Sequence, residues 1–444
     1  MRIHGIILGI ACLLSVGTAQ AAEDSLLIKN VTLIDGTGAE PLQHASVLVV
    51  GERIALISPS DIKAPRGATV IDGKGKFLMP GIINSHIHLP GGREGSGANR
   101  KLVTNIELGT AVLQAMLYSG VTAAYDSGNH DKFILKMREE EHAGRILGSR
   151  LYTAIRLLTP AKGYQCCAGA LQVTDYDSTV GKVDEMLAQK PDMIKITRER
   201  RGMSAESENL ELIPLDVMTR LINHIHEAGF RVSVHISDEE VARESIAAGV
   251  DALAHPIYLE DASPTFAKLV AAKGLPVSTT MGRVDTDLSV FDRQIFVETL
   301  NDEDRADNKS NPMYKTDSAR GGFRASLLAK VKKNLRAIYD NGGVLAMGTD
   351  RSMGAYVHRE MELLSEAGIP NLAVTRMATL NAAIYMGKEK DLGSIERGKL
   401  ADMLLLSADP VADIRNTVKI DTVILGGKRI DRTKLKVPAN EKKK

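Results

Sequence analysis

The chain has 444 residues, 44% of them hydrophobic and 25% charged, with no tryptophan and a formal net charge of +1. That length exceeds what one compact core usually holds and points to one large domain with a smaller companion. The even balance of 56 basic and 55 acidic side chains argues against a nucleic-acid partner or an anionic membrane surface.

Residues 1–21 read as a secretory signal peptide. Arg2 supplies the positive start, "IILGIACLLSV" the apolar run, and Ala19-Gln20-Ala21 the small-x-small cleavage pattern. The run is too short to span a bilayer comfortably, and Cys12 lacks a lipoprotein context. Cleavage after Ala21 and export to a bacterial periplasm are expected, with no membrane association afterwards.

Residues 22–78 then carry short strand patterns, "SLLIKNVTLID", "ASVLVVGERIALIS" and "ATVIDGKGKFLMPG", separated by glycine-containing turns. Residues 391–435 return to the same style with "KLADMLLLSAD" and "DTVILGGKRID". The two ends are expected to meet in one small β-sandwich domain, followed by a solvated basic tail at 436–444.

Residues 79–390 alternate apolar runs with helical patterns. The eight runs are "GIINSHIHL", "VTAAYD", "RLYTAIR", "DMIKIT", "RVSVHIS", "DALAHPI", "LPVSTTM" and "VLAMGTD". One helix is expected to begin with a capping box at Ser237 and Glu240, another with Ser263 as N-cap before Pro264. Eight such units predict an α/β fold, a closed (β/α)8 barrel. An open doubly wound sheet is the alternative, disfavoured because no glycine-rich phosphate loop follows a strand. The polar stretch "NDEDRADNKSNPMYKTDSARGG" between the seventh and eighth runs reads as an active-site lid or a disordered excursion. Cys166 and Cys167 in "GYQCCAG" are too few for a disulfide framework. They are two inert thiols or a strained vicinal disulfide.

In such a barrel, chemistry sits at the C-terminal ends of the strands. His86 and His88 end the first run, Lys195 lies in the fourth, His235 and His255 end the fifth and sixth, and Asp350 ends the eighth. Singly, a strand histidine is usually a hydrogen-bonded core residue, a strand lysine an edge device, and an aspartate a cap. Together, six such groups on five strands indicate a metal-binding site. The repeated His-Ile-His separates the same way. On a strand, His86 and His88 face one side and can share an ion. His224 and His226, in the helical "VMTRLINHIHEAG", point about 200° apart and cannot.

On these residues the sequence resembles the amidohydrolase superfamily of metal-dependent hydrolases, in its prolidase-like, imidazolonepropionase-related branch. The matching pieces are "LMPGIINSHIHL", "DMIKIT", "VSVHI", "DALAHPIYLED", "VLAMGTDRS" and "ATLNAAIYMGKEKDLGSIERGKLADMLLLSADP", and the likeness covers roughly residues 25–435. The resemblance implies two divalent metal ions, zinc by preference. His86, His88 and Asp350 would bind one, His235 and His255 the other, and Lys195, carboxylated by CO2, would bridge them. It further implies that a hydroxide between the metals attacks an amide or peptide C–N bond of a small substrate, such as a dipeptide or N-acyl amino acid. Asp350 would be the catalytic proton carrier.

Two positions depart from the dipeptidase-like pattern. Ser237 stands where those members carry a tyrosine, and the loop "LTPAKGYQCCAG" has Tyr164 but no histidine. Tyr164, Arg198, Tyr258, Arg283 and His358 are the candidates for binding a substrate acidic group, each with a packing role as the alternative. Competing readings are an esterase, lactonase, phosphotriesterase or cyclic-amide hydrolase using the same site, and a non-catalytic metal-binding scaffold. A homo-oligomer remains open.

Overall fold

Runs that are apolar at every position form strands only where both faces are covered, and this condition is met in the middle of the chain. The computed structural model describes residues 25–94, 101–165, 169–202 and 210–435. The expected signal peptide, the Cys166–Cys167 pair and the basic tail lie outside the described residues. All eight predicted runs are strands: β1 Ile82–Ile87, β2 Val121–Asp126, β3 in two halves, Arg150–Thr153 and Leu157–Thr159, β4 Ile194–Thr197, β5 Val232–His235, β6 Ala252–Leu253, β7 Val277–Ser278 and β8 Leu345–Ala346. Every residue of β1, β2, β4 and β5 is buried.

Neighbouring strands pair in parallel and in order. The ring closes between β8 and β1, where the Ser85 amide donates to the Met347 carbonyl at 3.0 Å and the Asp350 amide to the His86 carbonyl at 2.9 Å. The halves of β3 serve different neighbours: Arg150–Thr153 pairs with β2 and Leu157–Thr159 with β4. Between them Ile155 adopts a φ of 65°, a left-handed conformation that is costly for a β-branched residue. The Thr153 hydroxyl, which accepts from the Ile155 amide at 2.8 Å, holds this break.

Helices cover the barrel. Ser263 caps the helix Pro264–Ala272, as expected, by accepting from Phe266 N. The expected box at Ser237 is corrected by one residue: Asp238 caps Glu239–Ala247, accepting from Val241 N at 3.0 Å, because the Ser237 hydroxyl is turned to Glu199. Helix Leu215–Glu227 buries Val217, Met218, Leu221, Ile222 and Ile225. Its two histidines diverge to different partners, His224 to Asp184 at 2.6 Å and His226 to Asp251 at 2.8 Å. The polar insertion is helical at Asp302–Ser310, where no residue is buried, and again at Ala319–Asp340. Among the described residues no helix is long and apolar enough to cross a membrane.

Strands from both chain ends meet in one ladder. Met403–Leu406 pairs antiparallel with Phe77–Pro80, which joins Ser25–Leu33 and Leu42–Val50 on one side, while Ile420–Leu425 extends the other. Hydrogen bonding links these into one eight-stranded sheet, which folds back on itself where Ile54 N donates to the Lys399 carbonyl at 2.9 Å and Ala401 N to the Glu52 carbonyl at 2.8 Å. It is tied to the barrel by Arg150, whose Nε and Nη2 both donate to the buried Asp402 carboxylate at 2.7 and 3.1 Å.

Beside this tie, the Glu141 carboxyl is 11% exposed, accepts a long bond from the Leu151 amide at 3.4 Å and has His142 Nε2 3.5 Å away. Burial raises it from 4.5 to about 7. Between those values the folded chain keeps a proton that the unfolded chain has lost, so this group makes stability fall as pH rises from 4.5 to 7 and level off above. Glu141→Gln keeps an acceptor for Leu151 and removes the ionisation. It is expected to stabilise the protein by about 1–3 kcal/mol at pH 8 and to leave it unchanged at pH 4, measured by urea unfolding at both pH values.

Candidate active site

The barrel places its polar strand ends around one centre. His86 Nδ1 lies 3.0 Å from the Ala254 carbonyl and His88 Nδ1 2.8 Å from the Gly128 carbonyl. A carbonyl only accepts, so both rings carry hydrogen on Nδ1 and leave a lone pair on Nε2. These Nε2 atoms stand 3.8 and 3.7 Å from Asp350 Oδ1. One ligand atom from each of His86, His88 and Asp350 lies within 4.8 Å of the others.

His255 continues the ring, 4.5 Å from His86 and 4.3 Å from His235 between ring centroids. Its Nδ1 is held by Thr280 Oγ1 at 2.9 Å. His235 is held from its other nitrogen, Nε2, by Glu199 at 3.0 Å, and its ring stacks on Tyr164 at 4.4 Å. Lys195 rises from β4 into this group, 2% exposed.

Electrostatics follow from burial. Loss of solvent, then neighbouring cations and imidazoles, hold His86, His235 and His255 well below the ordinary histidine value and therefore neutral. Burial pulls Lys195 down to about 7 against the opposing pull of Asp350. Burial pushes Asp350 up, but Arg283, His86 and His88 outweigh it and hold the carboxylate far below its usual range. Two buried polar atoms of this centre, His86 Nε2 and Lys195 Nζ, have no hydrogen-bond partner. Buried polar groups are rarely left so, and neutral imidazoles with a carboxylate are the donors that divalent zinc prefers. The donor set fits a metal ion.

The five substrate-contact candidates divide. Arg283 and Tyr164 reach the centre: Arg283 Nη1 donates to Asp350 Oδ2 and Nη2 to the Tyr164 hydroxyl, both at 2.5 Å. Tyr258 stands behind His255, its hydroxyl donating to the Thr280 carbonyl at 3.1 Å. Arg198 is turned away, bonded twice to Glu244 and once to the Ile213 carbonyl. His358 is not on a mouth loop at all. It is buried in helix Tyr356–Glu366, with Nε2 3.0 Å from the Ser119 carbonyl and Nδ1 2.9 Å from Thr417 Oγ1. Both are corrected to packing roles, since their polar atoms are satisfied within the scaffold.

Three buried carboxylates absent from the sequence reading support the centre. Asp126, ending β2, accepts from Leu89 N, Gly128 N and Asn129 Nδ2 and so fixes the carbonyl that orients His88. Glu199 holds His235. Glu360 accepts from Thr279 Oγ1, Met281 N and Gly282 N at 2.7–2.8 Å and anchors the turn Met281–Arg283. Only Asp126 had a usable signal, an acid closing an apolar strand as Asp350 does.

Fold and site together define a (β/α)8 barrel protein with a histidine, lysine and aspartate cluster of metal-ligand type at its mouth. The family follows from comparison: residues 77–430 match the amidohydrolase family, and the chain belongs to it. The adenine deaminase of Roseobacter denitrificans is 22% identical over 423 residues, 94% of this chain and 59% of that protein. The chain thus spans little more than half the length of that curated relative. A prolidase complexed with N-methylphosphonate-L-proline superposes with a TM-score of 0.74 at 21% identity, covering 91% of this chain and 99% of that one. A Xaa-Pro dipeptidase with methionine bound in its active site gives 0.73 at 21% identity, with the same coverage. At these identities the two structures bear on the fold.

Removing the Glu360 carboxylate leaves the Met281 and Gly282 amides buried without an acceptor and the Thr279 hydroxyl with only its long bond to the Gly348 carbonyl, 3.4 Å. Glu360→Ala is expected to cost about 2–4 kcal/mol and to release Arg283 from Asp350, measured by thermal melting and by a crystal structure of the variant.

Proposed function

We propose that the chain is a metal-dependent hydrolase that cleaves an amide or peptide C–N bond of a small substrate such as a dipeptide or N-acyl amino acid. The observation that carries this reading is the meeting of His86, His88, His235, His255 and Asp350 around a buried Lys195 amine that has no partner. Membership of the amidohydrolase family supports it, as does the fold shared with a prolidase and a Xaa-Pro dipeptidase.

Lys195 is the residue to be modified. Its uncharged Nζ can add to the carbon of CO2, forming an N–C bond and shedding a proton. The product is an anionic carbamate with two oxygens where an ammonium offers no lone pair. His86, His88 and Asp350 would then hold one divalent ion, His235 and His255 a second, and the carbamate both, with zinc the expected metal. When bound, the ions make a water acidic enough to attack at neutral pH and polarise the substrate carbonyl.

The chain's own residues do the rest. Asp350, kept ionised by Arg283, takes the proton of the attacking water and delivers it to the leaving nitrogen. Arg283 and Tyr164, bonded to each other beside Asp350, receive an acidic group of the substrate. Tyr164, stacked on His235, also shields the centre from bulk water. Residues 1–21, if cleaved as a signal, would deliver this activity to the periplasm. A second reading, hydrolysis of a cyclic amide or amino-substituted ring, gains weight from Ser237, which is occupied with Glu199 and is not free for a dipeptide carboxylate.

Purified residues 22–444 are expected to hold two divalent ions per chain by elemental analysis. They should lose activity to a chelator, regain it with zinc, and hydrolyse members of a panel of dipeptides, N-acyl amino acids and cyclic amides. Asp350→Asn is expected to lower kcat by about 10²–10⁴-fold. A wild type without divalent metal sinks the mechanism. Turnover confined to lactones, esters or phosphotriesters sinks the assignment to C–N bonds.

A further inference from the structure

The four histidines of the centre are not held alike. His86, His88 and His255 are each gripped at Nδ1, by the Ala254 carbonyl, the Gly128 carbonyl and Thr280 Oγ1. These partners are neutral, and each leaves Nε2 as the nitrogen not held by the scaffold. His235 is reversed: its Nε2 is the atom in hydrogen-bond contact, and the partner is a carboxylate, Glu199 Oε2, at 3.0 Å. The second oxygen of Glu199 is also engaged, accepting from Ser237 Oγ at 2.6 Å and from Arg201 N at 2.9 Å. Glu199 is 2% exposed, so its geometry is fixed by these three donors and not by solvent.

An ion on His235 can be bound only through Nδ1 while Nε2 is held, and Nδ1 offers a lone pair only when the ring proton sits on Nε2. Glu199 is the group that receives that proton's hydrogen bond. A carboxylate in this position fixes both tautomer and ring plane and makes the imidazole a stronger donor than a carbonyl partner does. Ser237 and Arg201 N aim the carboxylate, and Ser237 is itself buried.

We infer that Glu199 is a positioning residue that sets His235 with Nδ1 toward the centre and thereby governs retention of the ion bound by His235 and His255. This rests on the metallohydrolase reading. The three carbonyl- or hydroxyl-held histidines do not depend on it, so its loss acts on one ion and not the other.

The test uses the full chain, titrated with zinc against a competing chelator, in wild type, Glu199→Ala and Glu199→Gln. In Glu199→Ala one of the two zinc affinities is expected to fall by about 10–100-fold while the other stays within about twofold. Glu199→Gln, nearly the same size, keeps a carbonyl oxygen that can still accept from Nε2 and is expected to fall by less than about tenfold. Both zinc affinities within about twofold of wild type in the two variants would overturn the inference. So would an equal loss of both ions, or a melting temperature well below wild type with every sample chelated, since either outcome assigns Glu199 to the scaffold. A wild type that binds no zinc removes the metallohydrolase reading and this inference together, whereas variants that differ from a zinc-binding wild type in neither ion remove this inference alone.

Discussion

The hydrogen bond from the Asp350 amide to the His86 carbonyl, 2.9 Å, is the contact on which the centre depends. It joins the last barrel strand to the first, and the two residues it joins are both ligand candidates. To make it, Asp350 accepts a φ of 49°, a left-handed backbone that costs a non-glycine residue on the order of 1 kcal/mol. The rest of the seam is built to enforce it. Asn84 bonds Thr349 twice, through its amide nitrogen at 2.9 Å and its oxygen at 3.1 Å. Gly348 has no room for a side chain, because a Cβ there would lie 2.2 Å from Ser278 Oγ. Closing the ring and setting the distance between His86 and Asp350 are one structural act.

That seam explains why so polar a cluster is tolerated inside a barrel. Burying imidazoles, an amine and a carboxylate is unfavourable unless each is bonded or paired. Here one nitrogen of every histidine is held by the protein and Asp350 is paired with Arg283. What stays unsatisfied, His86 Nε2 and Lys195 Nζ, faces inward. The scaffold spends its acceptors on the outer side of each ligand and leaves the inner side for a cation, the arrangement expected where a site is organised ahead of its metal.

The strands were legible because a (β/α)8 barrel buries both faces of its strands, and eight apolar runs punctuated by helices have few other solutions. The ligand candidates were legible because each interrupts such a run near its C-terminal end. The same logic separated the two His-Ile-His pairs: the strand pair meets Asp350, and the helix pair reaches Asp184 and Asp251 on the surface. What stayed hidden was side-chain direction. Arg198 follows a strand end as Arg283 does, yet its guanidinium turns outward to Glu244. His358 lies eight residues beyond Asp350 but on the buried side of its helix, facing Thr417. Glu199 and Glu360 sit in a loop and a helix with nothing local to mark them, since their side-chain partners are 36 to 81 residues away.

The ligand candidates therefore rest on two unlike supports. His86, His88 and Asp350 are set by backbone: strand closure, the Gly128 carbonyl fixed by Asp126, and the Ala254 carbonyl. His235 and His255 are set by side chains, Glu199 with Ser237 on one and Thr280 on the other. Backbone supports change only if the barrel itself deforms, whereas side-chain supports can be exchanged one residue at a time without touching the ring. On this division the His86 side of the centre is bound to the fold, and the His235 side is where the same barrel can be tuned. Tyr164 stacks on that same tunable side and bonds Arg283, so changes around His235 also reach the Arg283–Asp350 pair.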